Sequence, residues 1–298
     1  MNKKPIQLII VGAGPAGLTA GFFAKRYGMD FLVFGKTEKS AIAQAHLVEN
    51  YPATKPMTGP EFIKEIEKSS GIKPKQEQIE KISKTKNGFQ IITNKGQYQS
   101  QTIILALGMK TRKLGIKNEE TFLSKDIFYH SPNELTSIKN KTVSVIGGGD
   151  SALMSALKLS DHAKKVYLIH RRDEFRGASI LVKKAEKKEN IEIVYSANAI
   201  ECKGKNKLET LILNNGKELK IDKLFIEVGG IPNACLYENL KIQMENNFII
   251  TDKNQTTNLP GLFAAGDITN NPLKLIVTAV SQGANATFSA YNYIKNSK

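Results

Sequence analysis

The stretch IQLIIVGAGPAG, residues 6–17, joins an apolar, β-branched run to a glycine-rich turn. A helical run follows the turn, and FLVF at residues 31–34 has the composition of a second strand. Gly12, Gly14 and Gly17 fit the G-x-G-x-x-G pattern, whose glycines permit a tight turn, admit a pyrophosphate and let helix and strand pack closely. This order predicts a βαβ unit that binds a dinucleotide at the helix N-terminus. The alternative is a purely structural glycine turn.

The same pattern recurs 135 positions later in the chain. TVSVI at 142–146 precedes GGGDSA at 147–152, and VYLI at 166–169 follows a helical stretch. We therefore predict two dinucleotide-binding units, which a chain of 298 residues accommodates at roughly 100–200 residues per domain. The candidate binding residues in the second turn are Gly147, Gly149, Asp150 and Ser151.

The residues that follow the second strand differ between the two units. The position 23 residues after the first glycine is Gly35 in the first unit and His170 in the second. The first unit lacks the acidic residue that binds a ribose hydroxyl at about this place. Arg171, Arg172 and Arg176 follow His170, and guanidinium groups there suit the 2′-phosphate of NADPH. We predict NADPH in the second unit and FAD in the first; the alternative for the arginines is a basic surface loop.

A glycine–aspartate pair near the end of the chain supports the flavin assignment. Gly266 and Asp267 follow the apolar strand segment 262–265. An aspartate after such a turn can accept a hydrogen bond from a ribityl hydroxyl of FAD. The alternative is an ordinary aspartate in a β-turn.

Further elements follow from local patterns. Helices are predicted at 60–70 and 179–188, and the apolar segment 273–294 is long. Asn-Lys-Gly at 94–96 and Asn-Asn-Gly at 214–216 are typical of hairpin turns. The chain therefore alternates strands with helices, as expected for an α/β fold.

The composition excludes several classes of protein. A hydrophobic fraction of 41% and a charged fraction of 24% are ordinary for a globular protein. Cys202 and Cys235 are the only cysteines and stand 33 positions apart, so no disulfide scaffold, four-cysteine metal site or Cys-x-x-Cys pair is expected. No apolar run reaches the roughly 18 residues of a membrane span, and we predict a cytoplasmic protein that uses no metal and does not bind a membrane.

The net charge of +15 is the unusual number in the composition. It divides into +6 within residues 112–242 (23 basic, 17 acidic) and +9 in the rest (20 basic, 11 acidic). A charge spread over the chain, without a concentrated basic tract or a binding motif, does not favour nucleic-acid binding. It favours, weakly, an acidic protein partner.

The chain resembles the low-molecular-weight thioredoxin reductase family of flavoproteins over essentially its whole length. The motifs that carry the resemblance are, in order, GAGPAG (12–17), VENYP (48–52), LALG (105–108), GGGDSA (147–152), HRRDEFR (170–176), LPGLFAAGDI (259–268) and PLKLIVTAVSQGANATFSAYNYI (272–294). The combination of these motifs in this order is highly specific.

The resemblance implies an α/β fold with two Rossmann-like, three-layer ββα dinucleotide-binding domains. An FAD-binding domain at 1–111 and 243–298 would hold an inserted NADPH-binding domain at 112–242. A homodimer and a domain rotation that brings nicotinamide to flavin are also implied. The expected FAD contacts are Gly12, Gly14, Ala16, Gly17, Asn50, Gly108, Gly266 and Asp267. The expected NADPH contacts are Gly147, Gly149, Asp150, Ser151, His170, Arg171, Arg172 and Arg176.

The chain departs from the family at its redox centre. Thioredoxin reductases carry Cys-x-x-Cys-Asp shortly before the second glycine turn, where this chain has HSPNE at 130–134. Electron transfer from flavin to a disulfide needs a thiolate, which His130 cannot supply. Glu134 stands at the place of a proton-donating aspartate and is predicted to act as an acid, while His130 is predicted to stack near the flavin or to tune its redox potential. The alternative for both residues is an ordinary loop position.

Two other segments differ from the family where it approaches the flavin. A Gly-Gly-Gln motif is replaced around Lys39-Ser40-Ala41, and an Arg-Gln pair before the last helix reads Lys274-Leu275. The apolar neighbours of Cys202 and Cys235 predict buried, inert thiols.

These features resemble the thioredoxin-reductase-like ferredoxin–NADP reductases, which lack the dithiol. We therefore expect an NADPH-dependent flavoprotein that passes electrons through FAD to a ferredoxin or flavodoxin. The alternatives are an NADPH oxidase, a low-molecular-weight disulfide reductase that uses an outside thiol, and a non-catalytic flavin or nucleotide sensor.

Overall fold

The computed structural model describes residues 4–45, 47–129, 135–232 and 236–297. The chain forms two compact units. Unit 1 comprises Met1–Lys110 and Ile231–Lys298, and unit 2 comprises Thr111–Gly230. One unit is therefore inserted into the sequence of the other, as predicted.

Strands and helices alternate along the described residues. The strands are β1 (Ile6–Val11), β2 (Phe31–Phe34), β3 (Ile79–Thr85), β4 (Gly88–Thr93), β5 (Gly96–Leu105), β6 (Met109–Thr111), β7 (Ile127–Tyr129), β8 (Thr142–Gly147), β9 (Lys165–Ile169), β10 (Ile191–Val194), β11 (Ala199–Lys203), β12 (Thr210–Leu213), β13 (Glu218–Lys220), β14 (Lys223–Glu227), β15 (Gly230–Pro232), β16 (Met244–Glu245), β17 (Phe248–Ile249) and β18 (Leu262–Ala264). The α-helices are α1 (Pro15–Arg26), α2 (Gly59–Ser70), α3 (Glu119–Phe122), α4 (Asp150–Ser160), α5 (Ser179–Glu186) and α6 (Ile276–Asn296).

The central sheet of unit 1 is built around β1 and β5. Strand β1 lies between β2 and β5, and all three run parallel. The last part of β5 also pairs in parallel with β18, whereas its first part pairs with β4 in an antiparallel meander that continues to β3. The glycine turn after β1 and the Gly266 turn after β18 therefore leave the sheet at the same edge.

Alternate side chains of β1 enter two different cores. Leu8 and Ile10 pack with residues of α1 and α6. Ile9 and Val11 pack with residues of β3, β4 and β18. The parallel sheet is thus covered by helices on one face and by the meander on the other, which is the predicted three-layer ββα arrangement.

Unit 2 repeats this architecture with shorter elements. Its five-stranded sheet has the order β10-β9-β8-β14-β7, and every pair is parallel. A separate antiparallel sheet consists of β11, β12 and β13. Val143 and Val145 pack against α4 and α5, whereas Ile146 packs on the side of the antiparallel sheet with the fully buried Cys202. The predicted α/β fold class is confirmed in both units.

The two compact units divide at a different position from the predicted domains. The second crossing between the units lies at 230/231 rather than at 242/243. Tyr237, Leu240 and Ile242 pack in the core of unit 1, together with residues of its central sheet. Burial of these three apolar side chains stabilises residues 236–242 as part of unit 1.

In the described part of the chain, none of the helices combines the length and the hydropathy that a membrane span requires. The same residues contain no group of three or more histidine, cysteine, aspartate or glutamate side chains that could hold a metal ion.

Candidate dinucleotide sites

The first glycine turn connects β1 to α1. Gly12 has a φ of +121°, and a Cβ there would lie 2.0 Å from the main-chain oxygen of Ala106. A Cβ at Gly17 would lie 1.9 Å from the main-chain oxygen of Gly12, so α1 packs directly on the turn. A Cβ at Gly14 would meet only the Cβ of Ser40, at 3.8 Å. The space beside Gly14 is therefore open to a ligand, as the glycine pattern predicts.

Ala16, in the first turn of α1, is buried between two C-terminal segments of unit 1. A Cβ at Gly266 would lie 3.2 Å from the Cβ of Ala16, and a Cβ at Gly283 would lie 2.2 Å from its main-chain oxygen. The Gly266 turn and α6 therefore both lie against the start of α1. Because the first turn of α1 has no acidic side chain, the partial positive charge of the helix N-terminus is available to a phosphate.

Asp267 follows Gly266 and is largely buried. The main-chain N–H of Gly266 donates to Oε1 of Gln282 at 2.7 Å, which ties the turn to α6. Nζ of Lys274 donates to the main-chain oxygens of Asp267 at 3.0 Å and Thr269 at 2.5 Å. Burial raises the pKa of Asp267, and the positive charge of Lys274 opposes this shift. In its ionised form, the carboxylate can accept a hydrogen bond from a ligand hydroxyl.

Two more residues predicted for unit 1 lie on other segments. Gly108 follows β5 with a φ of +61°, and a Cβ there would meet no atom within 4 Å. Because Leu105 pairs with Val11, Gly108 leaves the sheet at the same edge as the glycine turn. Asn50 is exposed and lies two residues after the buried Val48.

The second glycine turn connects β8 to α4. A Cβ at Gly147 would lie 2.5 Å from the main-chain oxygen of Glu227, so the turn approaches β14 closely. A Cβ at Gly149 would meet no atom within 4 Å, which leaves this position open to a ligand. Ala152 occupies the place that Gly17 holds in the first turn.

The loop after β9 is attached to the second turn by hydrogen bonds. The main-chain N–H of Arg176 donates to the main-chain oxygen of Gly148 at 2.8 Å. The main-chain N–H of Ala178 donates to Oδ1 of Asp150 at 2.7 Å. Asp150 thereby anchors the loop, while Ser151 is exposed at the second position of α4 and is available to a phosphate.

His170 is buried beneath the second turn, with only 4% of the residue exposed. A Cβ at Gly148 would lie 2.0 Å from Cε1 of its ring, and the ring stacks on Phe175 with centroids 5.2 Å apart. Nε2 has no hydrogen-bond partner among the described residues. Burial lowers the pKa of His170, and the charges of the neighbouring arginines lower it further. The imidazole is therefore neutral at pH 7, and it supports the glycine turn from below.

The three arginines predicted to bind a 2′-phosphate are all exposed. Arg171, Arg172 and Arg176 follow β9 on the loop that Gly148 holds. The main-chain N–H of Ser196 donates to the main-chain oxygen of Arg172 at 3.0 Å, so the loop is also fixed on the side of β10. A rigid loop with three exposed guanidinium groups suits a phosphate dianion.

Two of the predicted residues, His130 and Glu134, lie outside the described residues. The last described residue before them, Tyr129, donates its hydroxyl hydrogen to the carboxylate of Glu119. The Tyr129 hydroxyl also accepts a hydrogen bond from the main-chain N–H of Leu114 at 2.7 Å. Burial and the Glu119 carboxylate raise the pKa of Tyr129, so its phenol stays protonated.

A sequence profile of the pyridine nucleotide-disulphide oxidoreductase family matches residues 6–283. The chain belongs to this family. It is similar to the thioredoxin reductase of Mycoplasma genitalium, at 37% identity over 291 residues, which cover 94% of this chain and 92% of the relative.

Solved structures of the family share the fold. Thioredoxin reductase from Lactococcus lactis matches with a TM-score of 0.92 and 31% identity, over 98% of this chain and 99% of that one. A ferredoxin-flavin thioredoxin reductase from Clostridium acetobutylicum matches with a TM-score of 0.54 and 28% identity, over 98% and 99% of the two chains. This family member is therefore an oxidoreductase of the thioredoxin reductase type.

Thioredoxin reductase-like members of the family use FAD and NADPH. Unit 1 fits FAD: Gly14 leaves room beside the N-terminus of α1, and the partly buried Asp267 is an acceptor for a hydroxyl. Lys274 stands where the family motif has arginine, and its Nζ lies 4.1 Å from the centroid of the Phe248 ring. This lysine is held by main-chain oxygens of the same turn as Asp267.

Unit 2 fits NADPH. Gly149 leaves room at the N-terminus of α4, and the exposed arginines lie on the loop attached to that turn. Gly148 and Phe175 lie against the His170 ring, and the sequence patterns did not predict this role for them. The run of three glycines at 147–149 and the aromatic residue between Arg172 and Arg176 were the sequence features that could have indicated it.

Proposed function

We propose that this oxidoreductase passes electrons from NADPH through FAD to a ferredoxin-like carrier without a redox-active dithiol. The observation that supports the proposal is the presence of two dinucleotide turns in a chain whose only two cysteines are 33 positions apart. In the proposed reaction, a hydride from NADPH would reduce FAD, and the reduced flavin would give its two electrons, one at a time, to two carriers, with one proton released overall.

The chemistry of the cysteines argues against a dithiol reaction. Cys202 is fully buried, and burial together with Glu119 and Glu201 raises its pKa to about 12. Its thiolate is therefore scarce at pH 7, whereas thiol–disulfide exchange needs the thiolate. Cys235 lies outside the described residues, and its spacing from Cys202 forms no Cys-x-x-Cys pair.

The residues of each unit have separate tasks in this proposal. The N-terminus of α1 would bind the pyrophosphate of FAD, and Asp267 would accept a hydrogen bond from its ribityl chain. The N-terminus of α4 would bind the pyrophosphate of NADPH, and the exposed arginines would bind its 2′-phosphate. Glu134 would act as an acid that lends a proton to the reduced flavin and recovers one when the two electrons leave, and His130 would lie near the flavin.

The proposed acceptor is an acidic electron carrier, a ferredoxin or flavodoxin. The net charge of +15 complements such a carrier and would speed its encounter with the enzyme. A solved relative from Clostridium acetobutylicum is a ferredoxin-flavin thioredoxin reductase, and ferredoxin belongs to the proposed class of partner.

An anaerobic titration of the purified protein with NADPH, followed by visible absorbance, tests the proposal. We expect a flavin band near about 450 nm that NADPH bleaches more efficiently than NADH. The reduced protein should then reduce ferredoxin, and it should not reduce the disulfide of thioredoxin. Reduction of thioredoxin would overturn the proposal.

The same preparation separates the alternatives. Rapid oxygen consumption without transfer to ferredoxin would instead identify an NADPH oxidase. Formation of reduced low-molecular-weight thiols would identify a disulfide reductase. A protein that lacks the flavin band would be a sensor or binding protein.

We also propose a homodimer that forms through the α1–α6 face of unit 1. Tyr27 stacks on Tyr291 with centroids 5.0 Å apart, and Phe288 lies beside Tyr27 with 53% of its surface exposed. Sedimentation equilibrium should show a dimer that Phe288→Glu weakens. The control Leu273→Glu changes a residue that is 52% exposed before α6 and should leave the dimer intact.

A further inference from the structure

An exposed aromatic ring lies beside the arginine loop of unit 2. Tyr195 directly follows β10, which pairs in parallel with β9, so Tyr195 and the loop leave the sheet at the same edge. Tyr195 is 36% exposed, while the other exposed large apolar side chains in the described part of unit 2 are the aliphatic Ile180 and Ile200. Among the described residues, Tyr195 is therefore an exposed aromatic neighbour of the arginine loop that a planar ligand can reach.

The main chain holds Tyr195 in a fixed position relative to the arginines. On one side of it, the main-chain N–H of His170 donates to the main-chain oxygen of Val194 at 2.9 Å. On the other side, Ser196 donates to the main-chain oxygen of Arg172 at 3.0 Å, and Ala197 donates to that of His170 at 3.1 Å. These bonds do not depend on the tyrosine side chain, so the ring can be removed without releasing the loop.

Tyr195 is the outermost ring of an aromatic series. The His170 ring, buried under Gly148, stacks on Phe175 at an interplanar angle of 19°. Phe175 in turn contacts Tyr195, with centroids 5.2 Å apart and an angle of 54°. Phe175 thus supports Tyr195 from one side, while 36% of Tyr195 remains exposed to solvent.

We propose that Tyr195 stacks on the adenine of the dinucleotide whose 2′-phosphate the arginine loop binds; this inference rests on the proposed NADPH site. Neighbouring strands lie about 4.8 Å apart, so a ribose held at the end of β9 places its base near the end of β10. Aromatic rings bind bases through their faces and need no hydrogen bond to do so. Tyr195 therefore contributes affinity for the base, and the arginines contribute the preference for the phosphate.

The charge state of Tyr195 agrees with this role. Burial and the nearby Glu186 carboxylate raise the pKa of the Tyr195 phenol, so the ring stays neutral. A neutral ring does not repel the phosphates of the ligand.

The test measures the binding of 2′,5′-ADP and 5′-AMP to the flavin-loaded protein by calorimetry. Tyr195→Ala should weaken both nucleotides by the same factor, about 5- to 10-fold, and leave their ratio unchanged. Tyr195→Phe, which keeps the ring, should bind both nucleotides within about twofold of the unmodified chain. Arg172→Ala should instead weaken 2′,5′-ADP selectively, and Ile180→Ala serves as the control for an exposed apolar side chain of the same unit.

The outcomes separate this inference from the proposed function. If the unmodified chain binds neither 2′,5′-ADP nor NADPH, the NADPH site itself is absent. If it binds 2′,5′-ADP and Tyr195→Ala binds equally well, the stacking role is overturned. If Tyr195→Ala does not fold, Tyr195→Leu replaces it in the test, because leucine keeps an apolar side chain of similar size without a ring. Tyr195→Leu should lose the same affinity for both nucleotides.

Discussion

The two glycine turns differ in which of two touching positions carries a side chain. One position is the second residue of the turn, and the other is the residue that follows the neighbouring strand. In unit 1 the second turn residue is Ala13, and the residue after the neighbouring strand is Gly35. A Cβ at Gly35 would lie 2.8 Å from the main-chain nitrogen of Ala13. In unit 2 the turn residue is Gly148, and His170 fills the space that a Cβ there would need. Each unit can therefore hold only one side chain at this contact.

The exchange separates two kinds of nucleotide site. In unit 2 the imidazole lies under the turn and begins the loop that carries the arginines, so the loop is fixed against α4. In unit 1 the glycine brings the chain close to the turn, and Lys36 follows it without a similar cluster. The place of the third glycine of the pattern differs as well. A Cβ at Gly17 would collide with the main chain of Gly12, whereas unit 2 has Ala152 at this place.

The largest expected effect comes from giving the first turn an alanine at position 17, as the second turn has at position 152. Gly17→Ala places a Cβ 1.9 Å from the main-chain oxygen of Gly12, and backbone cannot move aside as a side chain can. We expect a loss of about 3 kcal/mol in the free energy of unfolding and loss of bound flavin. The reverse change, Ala152→Gly, should cost about 1 kcal/mol and preserve nucleotide binding. Urea unfolding and flavin absorbance measure both variants; retention of flavin by Gly17→Ala would contradict the packing argument.

A second experiment first introduces a clash between residue 148 and the His170 ring and then removes the ring. Gly148→Ala should destabilise unit 2 and weaken 2′,5′-ADP binding, because the new Cβ meets the His170 ring at 2.0 Å. Adding His170→Ala removes the obstacle and should recover part of both losses. The double-mutant cycle should give a coupling free energy of about 1–3 kcal/mol. Additive effects would show that the two residues do not compete for the same space.

Local patterns predict much of this fold. Helix α2 begins at Gly59 because Thr58 and Glu61 form a capping box, and the predicted helix at 60–70 agrees with it within one residue. The Asn-Lys-Gly turn at 94–96 joins β4 to β5, and the turn at 214–216 joins β12 to β13. The glycines that must avoid a Cβ could also be identified, because their roles follow from spacing alone.

Contacts between distant segments could not be predicted. The sequence around His170 is rich in charge and indicates an exposed loop, yet the ring is buried because Gly148 leaves space for it. Asp150 was expected at the cofactor, but its carboxylate bonds to the main chain of Ala178, 28 positions away. Residues 236–242 belong to unit 1 through burial of Tyr237, and local periodicity does not predict such a contact.

The difference in charge between the loops can be tested directly. Arg172→Ala should lower the preference for NADPH over NADH about tenfold, because one exposed, charge-assisted hydrogen bond to the 2′-phosphate is lost. Lys36→Ala, at the corresponding place in unit 1, should leave this preference unchanged. Steady-state reduction of an artificial acceptor with each nucleotide measures the ratio. An equal loss of activity with NADPH and NADH would mean that Arg172 stabilises the structure of the loop and does not bind the 2′-phosphate.

The smallest effect concerns the titration of His170. Burial lowers its pKa below the ordinary value of 6.5, so the unfolded chain takes up a proton at a higher pH than the folded chain does. The free energy of unfolding should therefore fall as the pH drops from 6.5 towards the lowered pKa, and this contribution is fully present above 6.5. Urea unfolding between pH 5 and 8 should show this slope, and His170→Asn should reduce it. Unit 1 has Gly35 at the equivalent position, which has no side chain to titrate. If His170→Asn keeps the full slope, groups other than His170 cause the pH dependence of the free energy of unfolding.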